Sequence, residues 1–202
     1  MVNETRIGAI ILAAGSSSRM GSPKQILKFQ GQSLLKRAAL AALGAGCRPV
    51  MIVLGSQKEV SRRELKGLDV REVLNENWET GMAASIRAGT EGLLSADADT
   101  AAAIILLCDQ PHVTADVVSN LAMAYCATGK PLIASAYSGS FGVPALFARP
   151  LFAELTQLQG AAGAKEVIKR HASAAHFIPF LEGEVDVDTP EEYSRLLAKG
   201  MS

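Results

Sequence analysis

The chain has 202 residues, 49% of them hydrophobic and 20% charged, which is the balance of one globular domain with a substantial core. Its 20 basic and 20 acidic residues cancel, which excludes the cationic surplus of a general nucleic-acid-binding protein. The 3 cysteines are widely spaced without a CxxC pair, which excludes a structural zinc site. No apolar stretch approaches the roughly 20 residues of a membrane span, and the first residues lack a signal-peptide layout. We therefore expect a cytoplasmic protein without a membrane partner.

Apolar runs of strand length alternate with amphipathic helical segments along the first two thirds of the chain. Strands are predicted at 7–12, 49–54, 70–74, 101–107 and 132–135. Helices are predicted at 33–45, 60–65, 82–93 and 114–127. This alternation predicts right-handed crossovers and a mostly parallel sheet with helices on both faces.

The pattern loosens in the C-terminal part. Residues 137–147 contain Gly139, Gly142 and Pro144, which favour a turn and an edge or antiparallel strand. The elements predicted after it are helices at 150–158 and 164–171, strands at 175–179 and 184–187, and a final helix opened by a capping box at 189–192. Without a repeat or linker, residues 1–202 are expected to form a single domain. Its fold class is α/β, Rossmann-like and doubly wound, with an antiparallel portion in the C-terminal half.

The segment after the first predicted strand is rich in small residues and carries two cations. It reads LAAGSSSRMGSPK over residues 12–24. In doubly wound sheets ligands bind beyond the carboxyl ends of the strands, and small residues let backbone N–H groups approach an anion. Arg19 and Lys24 could then neutralise phosphate oxygens. Five residues separate Gly15 from Gly21, which excludes a P-loop, and GxGxxG is absent. A solvated turn with two incidental cations remains the alternative.

Acidic residues are expected opposite this loop. Asp109 follows the buried strand predicted at 101–107 and should lie at the same sheet edge. A carboxylate facing a triphosphate would repel it unless a divalent cation, Mg²⁺ or Mn²⁺, lay between them. Asp186 and Asp188 occupy alternate positions at the last predicted strand and should point to one side, as the second and third acidic groups. Alternatively, one of these two only caps the final helix.

Several segments together resemble a known family. LAAGSSSRMGSPK resembles the LAAGxSxRMGxxK signature of the molybdenum cofactor cytidylyltransferase family. Further segments are similar to family motifs in the same order: NENWETGMAASI at 75–86, CDQP at 108–111, GVPALF at 142–147 and DVDTPE at 186–191. The resemblance implies a GT-A-like nucleotidyltransferase fold.

The resemblance also implies roles for individual residues. Arg19, Lys24 and Asp109 are the expected catalytic residues, and Asp109, Asp186 and Asp188 are the expected metal ligands. The loop chemistry and the resemblance together place these residues at the nucleotide: Leu12, Ala13, Ala14, Gly15, Ser16, Ser18, Arg19, Met20, Gly21, Lys24, Asn77, Gly81, Ser85, Asp109 and Gln110. Gly142, Pro144 and Lys165 are expected on the acceptor side. Without the resemblance, Gly81 and Ser85 are ordinary helix-start residues.

Substrate identity rests on two details. In the resembled family, members that transfer GMP carry LAGG where this chain has LAAG. The resemblance therefore implies that the methyl group of Ala14 favours CTP. The family's GDxGAR segment corresponds to residues 160–165, where Asp is replaced by Ala161 and Arg by Lys165. The expected reaction transfers CMP from CTP to a phosphorylated acceptor, in the family molybdopterin, and releases pyrophosphate. The alternatives are GTP, an acceptor such as a sugar phosphate or a phospholactate-type acid, and a non-catalytic accessory protein serving a client molybdoenzyme.

Overall fold

The computed structural model describes residues 5–199. Its strands are β1 (Ile7–Ala13), β2 (Lys28–Phe29), β3 (Gln32–Ser33), β4 (Val50–Leu54), β5 (Arg71–Leu74), β6 (Ala102–Leu107), β7 (Leu132–Tyr137), β8 (Ser140–Ala148) and β9 (His176–Pro179). Its helices are α1 (Leu34–Gly44), α2 (Lys58–Glu64), α3 (Met82–Ala96), α4 (Ala115–Thr128), α5 (Phe152–Thr156), α6 (Ala164–Arg170) and α7 (Pro190–Lys199). Within these residues no helix has the length and apolar character to cross a membrane.

The main sheet has the order β5-β4-β1-β6-β8-β7-β9. The first four strands of this order are parallel, which confirms the predicted α/β class. Strand β1 has β4 on one side and β6 on the other, so the direction in which strands are added reverses at β1. Such a reversal of strand order opens a crevice at the carboxyl ends, where open α/β sheets bind ligands.

Apolar side chains of β1 alternate between the two faces of the sheet. Ala9 and Ile11 belong to a buried cluster with residues of α1 and α4, whereas Ile10 and Leu12 pack with residues of α3, α5 and α6. This double coverage explains why β1, β4 and β6 are almost continuously hydrophobic. It confirms the doubly wound arrangement.

The helices α1 and α4 begin at residues whose hydroxyl groups cap them. The Ser33 hydroxyl accepts a hydrogen bond from the N–H of Lys36, and the Thr114 hydroxyl accepts one from the N–H of Val117, so α1 and α4 begin where predicted. The helix predicted at 150–158 is shorter: a 3-10 turn at Arg149–Leu151 precedes α5. The hairpin of β2 and β3 was not predicted.

The C-terminal half contains two corrections. Strand β8 is antiparallel to both neighbours, as one alternative predicted, but it lies between β6 and β7 instead of at an edge. The strand predicted at 184–187 is absent within the described residues: a 3-10 turn at Leu181–Glu184 is followed by irregular chain. Residues 185–188 are held by contacts with residues far away in the sequence. The alternation of valine and aspartate in this segment therefore does not reflect strand pairing.

Candidate active site

The register of β1 and β6 brings the loop and Asp109 together. Leu12 pairs with Leu107, and the Cys108 N–H donates to the Leu12 carbonyl at 3.4 Å. Two residues beyond this pair the chain reaches Ala14 on one strand and Asp109 on the other. The predicted meeting of the two segments at one sheet edge therefore follows from strand pairing.

A buried glutamine holds the glycine-rich loop in shape. Gln25 is fully buried, and its Nε2 donates to the carbonyls of Ala13 at 3.1 Å and Gly15 at 2.8 Å. Its Oε1 accepts from the Ser17 hydroxyl at 3.3 Å, and that hydroxyl accepts from the Lys24 N–H at 3.0 Å. Gln25 was not predicted, because one glutamine in a polar segment carries no spacing signal.

The middle of the loop is left open to a ligand. Ser17 has φ +59° and Gly21 has φ +70°, the left-handed conformations that turn a backbone into an anion-binding nest. Within residues 5–199, the N–H groups of Gly15, Ser16 and Ser18 donate to no backbone carbonyl. These groups can therefore bind phosphate oxygens.

Met20 is predicted at the nucleotide, and its side chain packs inward. It is buried in a cluster with Phe29, Leu34, Val187 and Leu196, so it anchors the loop, and a contact of Met20 with a nucleotide would involve its backbone. Leu12, Ala13 and Ala14 are also buried. The serines, Arg19 and Lys24 are the side chains of the loop that could contact phosphate.

Lys24 connects the loop to the carboxylates. Its ammonium donates to Asp109 Oδ2 and, at 3.0 Å, to Asp188 Oδ1, while Arg19 donates to Asp188 Oδ2 at 2.9 Å. Burial disfavours the Lys24 ammonium, but the charge of Asp109 and the bonds to both carboxylates outweigh it and raise its pKa. Partial burial of Asp188 is likewise outweighed by Lys24 and Arg19, which lower the pKa of its carboxyl.

The carboxylates of Asp109, Asp186 and Asp188 retain negative charge that a cation could neutralise. Asp109 Oδ1 is buried without a hydrogen-bond partner among the described residues. Desolvation of the Asp186 carboxyl, together with the charges of Asp109 and Asp188, raises its pKa to about 7, although Asp186 as a whole residue is exposed. An oxygen-only donor set with unrelieved negative charge suits Mg²⁺ or Mn²⁺. Yet no three acidic, histidine or cysteine side chains in residues 5–199 are arranged around a common metal position. Lys24 lies between two of the three carboxylates instead.

On the side where the nucleoside is predicted, the ends of β4 and β5 meet the start of α3. The Ser56 N–H donates to the Ala14 carbonyl at 3.1 Å, and a Cβ on Gly55 would lie 2.6 Å from that oxygen. Asn75 is buried and its Nδ2 donates to the Ser85 hydroxyl at 3.0 Å, while its Oδ1 accepts from the Asn77 N–H. Gly55, Ser56 and Asn75 were not among the predicted contacts.

Gly81 allows the start of α3 to pack closely against residues 160–165, the segment that differs from the family motif. Its φ is +116°, and a Cβ there would lie 2.3 Å from the Gly160 carbonyl oxygen. That same oxygen accepts from the Ala83 N–H at 3.3 Å. Only glycine satisfies both the backbone angle and this close approach. The structure therefore joins residues 81–85 to the loop at 160–165.

The side-chain NH₂ group of Gln110 is hydrogen-bonded to the protein backbone. It is buried, and its Nε2 donates to the carbonyls of Val143 at 3.2 Å and Gly183 at 3.1 Å. It thereby ties the end of β6 to β8 and to the turn before Asp186. Its Oε1 has no partner among the described residues.

The predicted acceptor residues separate into two groups. Gly142 and Lys165 line one small cavity, together with Leu12 and Tyr137. Pro144 does not line it: this residue is buried in β8, and its carbonyl accepts from the Ser135 hydroxyl at 2.7 Å. Tyr137 was not predicted, because its segment matches no family motif.

The fold and the site together define a nucleotidyltransferase. More specifically, the chain belongs to the family of MobA-like NTP transferase domains, whose model matches residues 9–175. The GT-A-like fold expected from the sequence is confirmed.

Three relatives that align over nearly the whole chain are named for different functions. Nicotine blue oxidoreductase of Paenarthrobacter nicotinovorans is 31% identical over 205 residues, covering 95% of this chain and 96% of its own. Purine catabolism protein PucB of Bacillus subtilis is 28% identical, with 96% of both chains covered. Molybdenum cofactor cytidylyltransferase of Escherichia coli is 23% identical, with 93% of both covered.

Solved structures show the same fold. Rv0371c of Mycobacterium tuberculosis in complex with manganese has a TM-score of 0.72 and 27% identity, covering 96% of this chain and 98% of its own. A nucleotidyl transferase of Methanothermobacter thermautotroptrophicus has a TM-score of 0.78 and 20% identity, covering 97% and 98%.

Proposed function

We propose that this protein transfers CMP from CTP to a phosphorylated acceptor, molybdopterin being the first candidate, in a Mg²⁺-dependent reaction that releases pyrophosphate. One observation carries the proposal: Lys24 belongs to the phosphate-binding loop and is bonded to two carboxylates across the crevice. A loop that binds triphosphate and a cluster that suits a divalent cation therefore share one site.

The residues of the chain perform binding and charge neutralisation. An acceptor phosphate oxygen attacks the α-phosphorus of CTP, a new phosphoanhydride bond forms, and the bond to the β-phosphate breaks. The acceptor phosphate is already an anion at neutral pH, so the step needs no general base. Arg19 and Lys24 stabilise the triphosphate and the departing pyrophosphate, and the N–H groups of the loop hold its oxygens in line.

Asp109, with Asp186 and Asp188, is the proposed holder of the metal. The free Oδ1 of Asp109 and the raised pKa of Asp186 support this assignment. A Mg²⁺ ion commonly takes one or two carboxylates, the rest of its ligands being phosphates and waters. When bound, the ion would neutralise charge on the reacting phosphate. Arg19 and Lys24, now paired with carboxylates, would then be released to the nucleotide.

Ala14 supports CTP over GTP. Its methyl is buried, and a Cβ on Gly55 would lie 2.9 Å from it, so the methyl fills the space beside the end of β4. A glycine at this position, as in guanylyl relatives, would widen that space.

The acceptor must be tested directly, because the two relatives of higher identity are named for other processes. Purified protein is mixed with Mg²⁺, molybdopterin and either CTP or GTP, and pyrophosphate release and the dinucleotide product are measured. We expect cytidylyl transfer with CTP and at least about tenfold less product with GTP, a difference of about 1.4 kcal/mol. A sugar phosphate serves as the comparison acceptor.

Each other outcome has a distinct meaning. Faster turnover with GTP would contradict the role given to Ala14. Turnover only with the sugar phosphate would contradict the choice of acceptor but retain the chemistry. Tight CTP binding without pyrophosphate release from any acceptor would favour the accessory-protein alternative, which the altered loop at 160–165 motivates.

A further inference from the structure

An arginine behind the proposed metal site holds the segment that carries Asp109. Arg37 is the fourth residue of α1, and its Nε and Nη2 donate to the carbonyl oxygen of Pro111 at 3.3 and 3.0 Å. Pro111 is buried, and within residues 5–199 its carbonyl accepts from no backbone N–H. A buried carbonyl without a donor costs free energy, so the guanidinium fixes the chain two residues beyond Asp109.

The same guanidinium lies over an aromatic ring. Its Cζ is 5.0 Å from the centre of the Phe29 ring, within the range of a cation–π contact. The Phe29 ring in turn meets the ring of His112 edge to face, with the ring centres 5.7 Å apart. Arg37 therefore supports Pro111 directly and its neighbour His112 through Phe29.

Phe29 extends this support to the other two parts of the site. It is buried in one cluster with Met20 of the glycine-rich loop and with Val187 of the acidic segment at 183–188. Asp109 is joined to the acidic segment as well, because its carbonyl accepts from the Val187 N–H at 3.0 Å. One ring and one carbonyl thus connect Arg37 with every segment that brings a charged group to the site.

Helix stability does not explain why an arginine occupies this position. A cation near the N-terminus of a helix is unfavourable with the helix dipole. The third nitrogen, Nη1, donates to Gln30 Oε1 at 3.4 Å, so all the hydrogen-bond acceptors of Arg37 are neutral oxygens. What the side chain provides is a planar fork that reaches a carbonyl of another segment.

We propose that Arg37 is a positioning residue, which holds the Pro111 carbonyl and the Phe29 ring so that Asp109 faces the loop at the spacing that a metal ion and a triphosphate require. The inference rests on the proposed function, because it concerns the metal and nucleotide of the same reaction. Arg37 acts through Pro111 and Phe29 and touches neither ligand. Its loss should therefore weaken metal binding in the presence of CTP more than it weakens CTP binding by the loop, which Gln25 shapes independently.

The proposal is tested by Mn²⁺ titrations in the presence of CTP, followed by electron paramagnetic resonance, for the native protein, Arg37→Met and Arg37→Lys. We expect Mn²⁺ to bind about tenfold more weakly to Arg37→Met. Arg37→Lys keeps a cation and one donor in place of two, so its loss should be about threefold. CTP binding in a chelator, measured by calorimetry, should change by less than about twofold in both variants.

Arg149→Met is the matched control. Arg149 donates to the carbonyls of Ala98 at 2.6 Å and Thr100 at 3.1 Å, at the end of β6 opposite Asp109. The control therefore also loses a guanidinium bonded to backbone carbonyls, but at a distance from the site. Its Mn²⁺ affinity in the presence of CTP should equal that of the native protein.

The outcomes separate this inference from the proposed function. Native Mn²⁺ affinity in Arg37→Met, or an equal loss in Arg149→Met, would overturn the positioning role alone. Failure of the native protein to bind CTP in the presence of Mn²⁺ would overturn the proposed function. If circular dichroism shows that Arg37→Met does not fold, Arg37→Lys decides: native Mn²⁺ affinity in that variant would overturn the positioning role.

Discussion

The glycine-rich loop at 12–24 and the acidic segment at 183–188 face each other but are stabilised differently. The side-chain hydrogen bonds that shape the loop come from its own sequence neighbourhood, from Gln25 and Ser17. The acidic segment is held by distant residues: its Gly183 carbonyl accepts from Gln110, and its Val187 N–H donates to the Asp109 carbonyl at 3.0 Å. The side-chain hydrogen bonds of the loop are thus local in sequence, whereas the hydrogen bonds of the acidic segment join it to residues far away in the chain.

This difference indicates how the site is assembled. Lys24 and Arg19 link the two elements directly through ion pairs with Asp188. In the absence of nucleotide, the cations of the loop compensate the acidic segment. Substrate binding would replace these ion pairs by phosphate and metal contacts, and the following changes test that exchange.

Asp109→Asn should have the largest effect. The substitution retains the size of the side chain but removes the charge proposed to hold the metal, so we expect kcat for pyrophosphate release to fall about 1,000-fold. The fold should persist, because Lys24 retains Asp188 as a partner. Circular dichroism checks folding, and Asp116→Asn on the exposed first turn of α4 is the control. Near-normal activity of Asp109→Asn would contradict the metal assignment.

Lys24→Met should separate catalysis from metal binding. CTP turnover is expected to fall about 100-fold, because a charge on the departing pyrophosphate is lost. Mn²⁺ should bind the nucleotide-free variant more tightly than the native protein, since the ammonium no longer lies between Asp109 and Asp188. Electron paramagnetic resonance measures free Mn²⁺, and Lys28→Met, an exposed neighbour, is the control. Weaker Mn²⁺ binding by Lys24→Met would contradict the exchange.

Gln25→Leu tests the local scaffold of the loop. It leaves the carbonyls of Ala13 and Gly15 without their amide donor, and we expect the free energy of unfolding to fall by about 3 kcal/mol. KM for CTP should rise as the loop loosens. Urea unfolding measures stability, with the exposed Gln157→Leu expected to stay within about 0.5 kcal/mol of native. Equal stability of the two variants would refute the scaffold role.

Glu192→Ala should have the smallest effect. Glu192 Oε2 accepts from the N–H groups of Asp188 and Thr189, both at 2.9 Å, so it closes the predicted capping box of α7. Its loss should lower the free energy of unfolding by about 1 kcal/mol. The position of Asp188 should become less defined, which raises the Mg²⁺ concentration needed for half-maximal activity. Glu191→Ala, exposed in the same turn, should change neither quantity.

Sequence patterns predicted the locally determined parts of the molecule. Strands β1 and β6 and the starts of α1 and α4 were placed within about a residue, because burial on both faces and helical periodicity leave short-range signals. The place of β8 inside the sheet was missed, since sheet order depends on pairing between distant segments. The acidic segment was given a strand it lacks for the same reason.

The site shows the same division. The glycines and cations of the loop predicted phosphate binding, and the strand pairing that brings this loop beside Asp109 agrees with the expected sheet edge. Gln25 could not be predicted, because one glutamine in a polar segment carries no spacing signal, although its partners Ala13 and Gly15 are near in sequence. Asn75 and Tyr137 were missed because their contacts form only in the folded chain. The packing of Met20 against Phe29 and Val187 could not be inferred either, because a family motif does not indicate which of its side chains pack inward.

The most direct test of the account is a Mn²⁺ titration followed by electron paramagnetic resonance, with and without CTP, for the native protein and Asp109→Asn. If loop and acidic segment form one site around a metal and a triphosphate, CTP will tighten Mn²⁺ binding to the native protein by at least about tenfold, equivalent to a coupling of about 1.4 kcal/mol. The variant will show little of this coupling. Equal Mn²⁺ affinity of the native protein with and without CTP, or coupling of the same size in Asp109→Asn, would contradict the account.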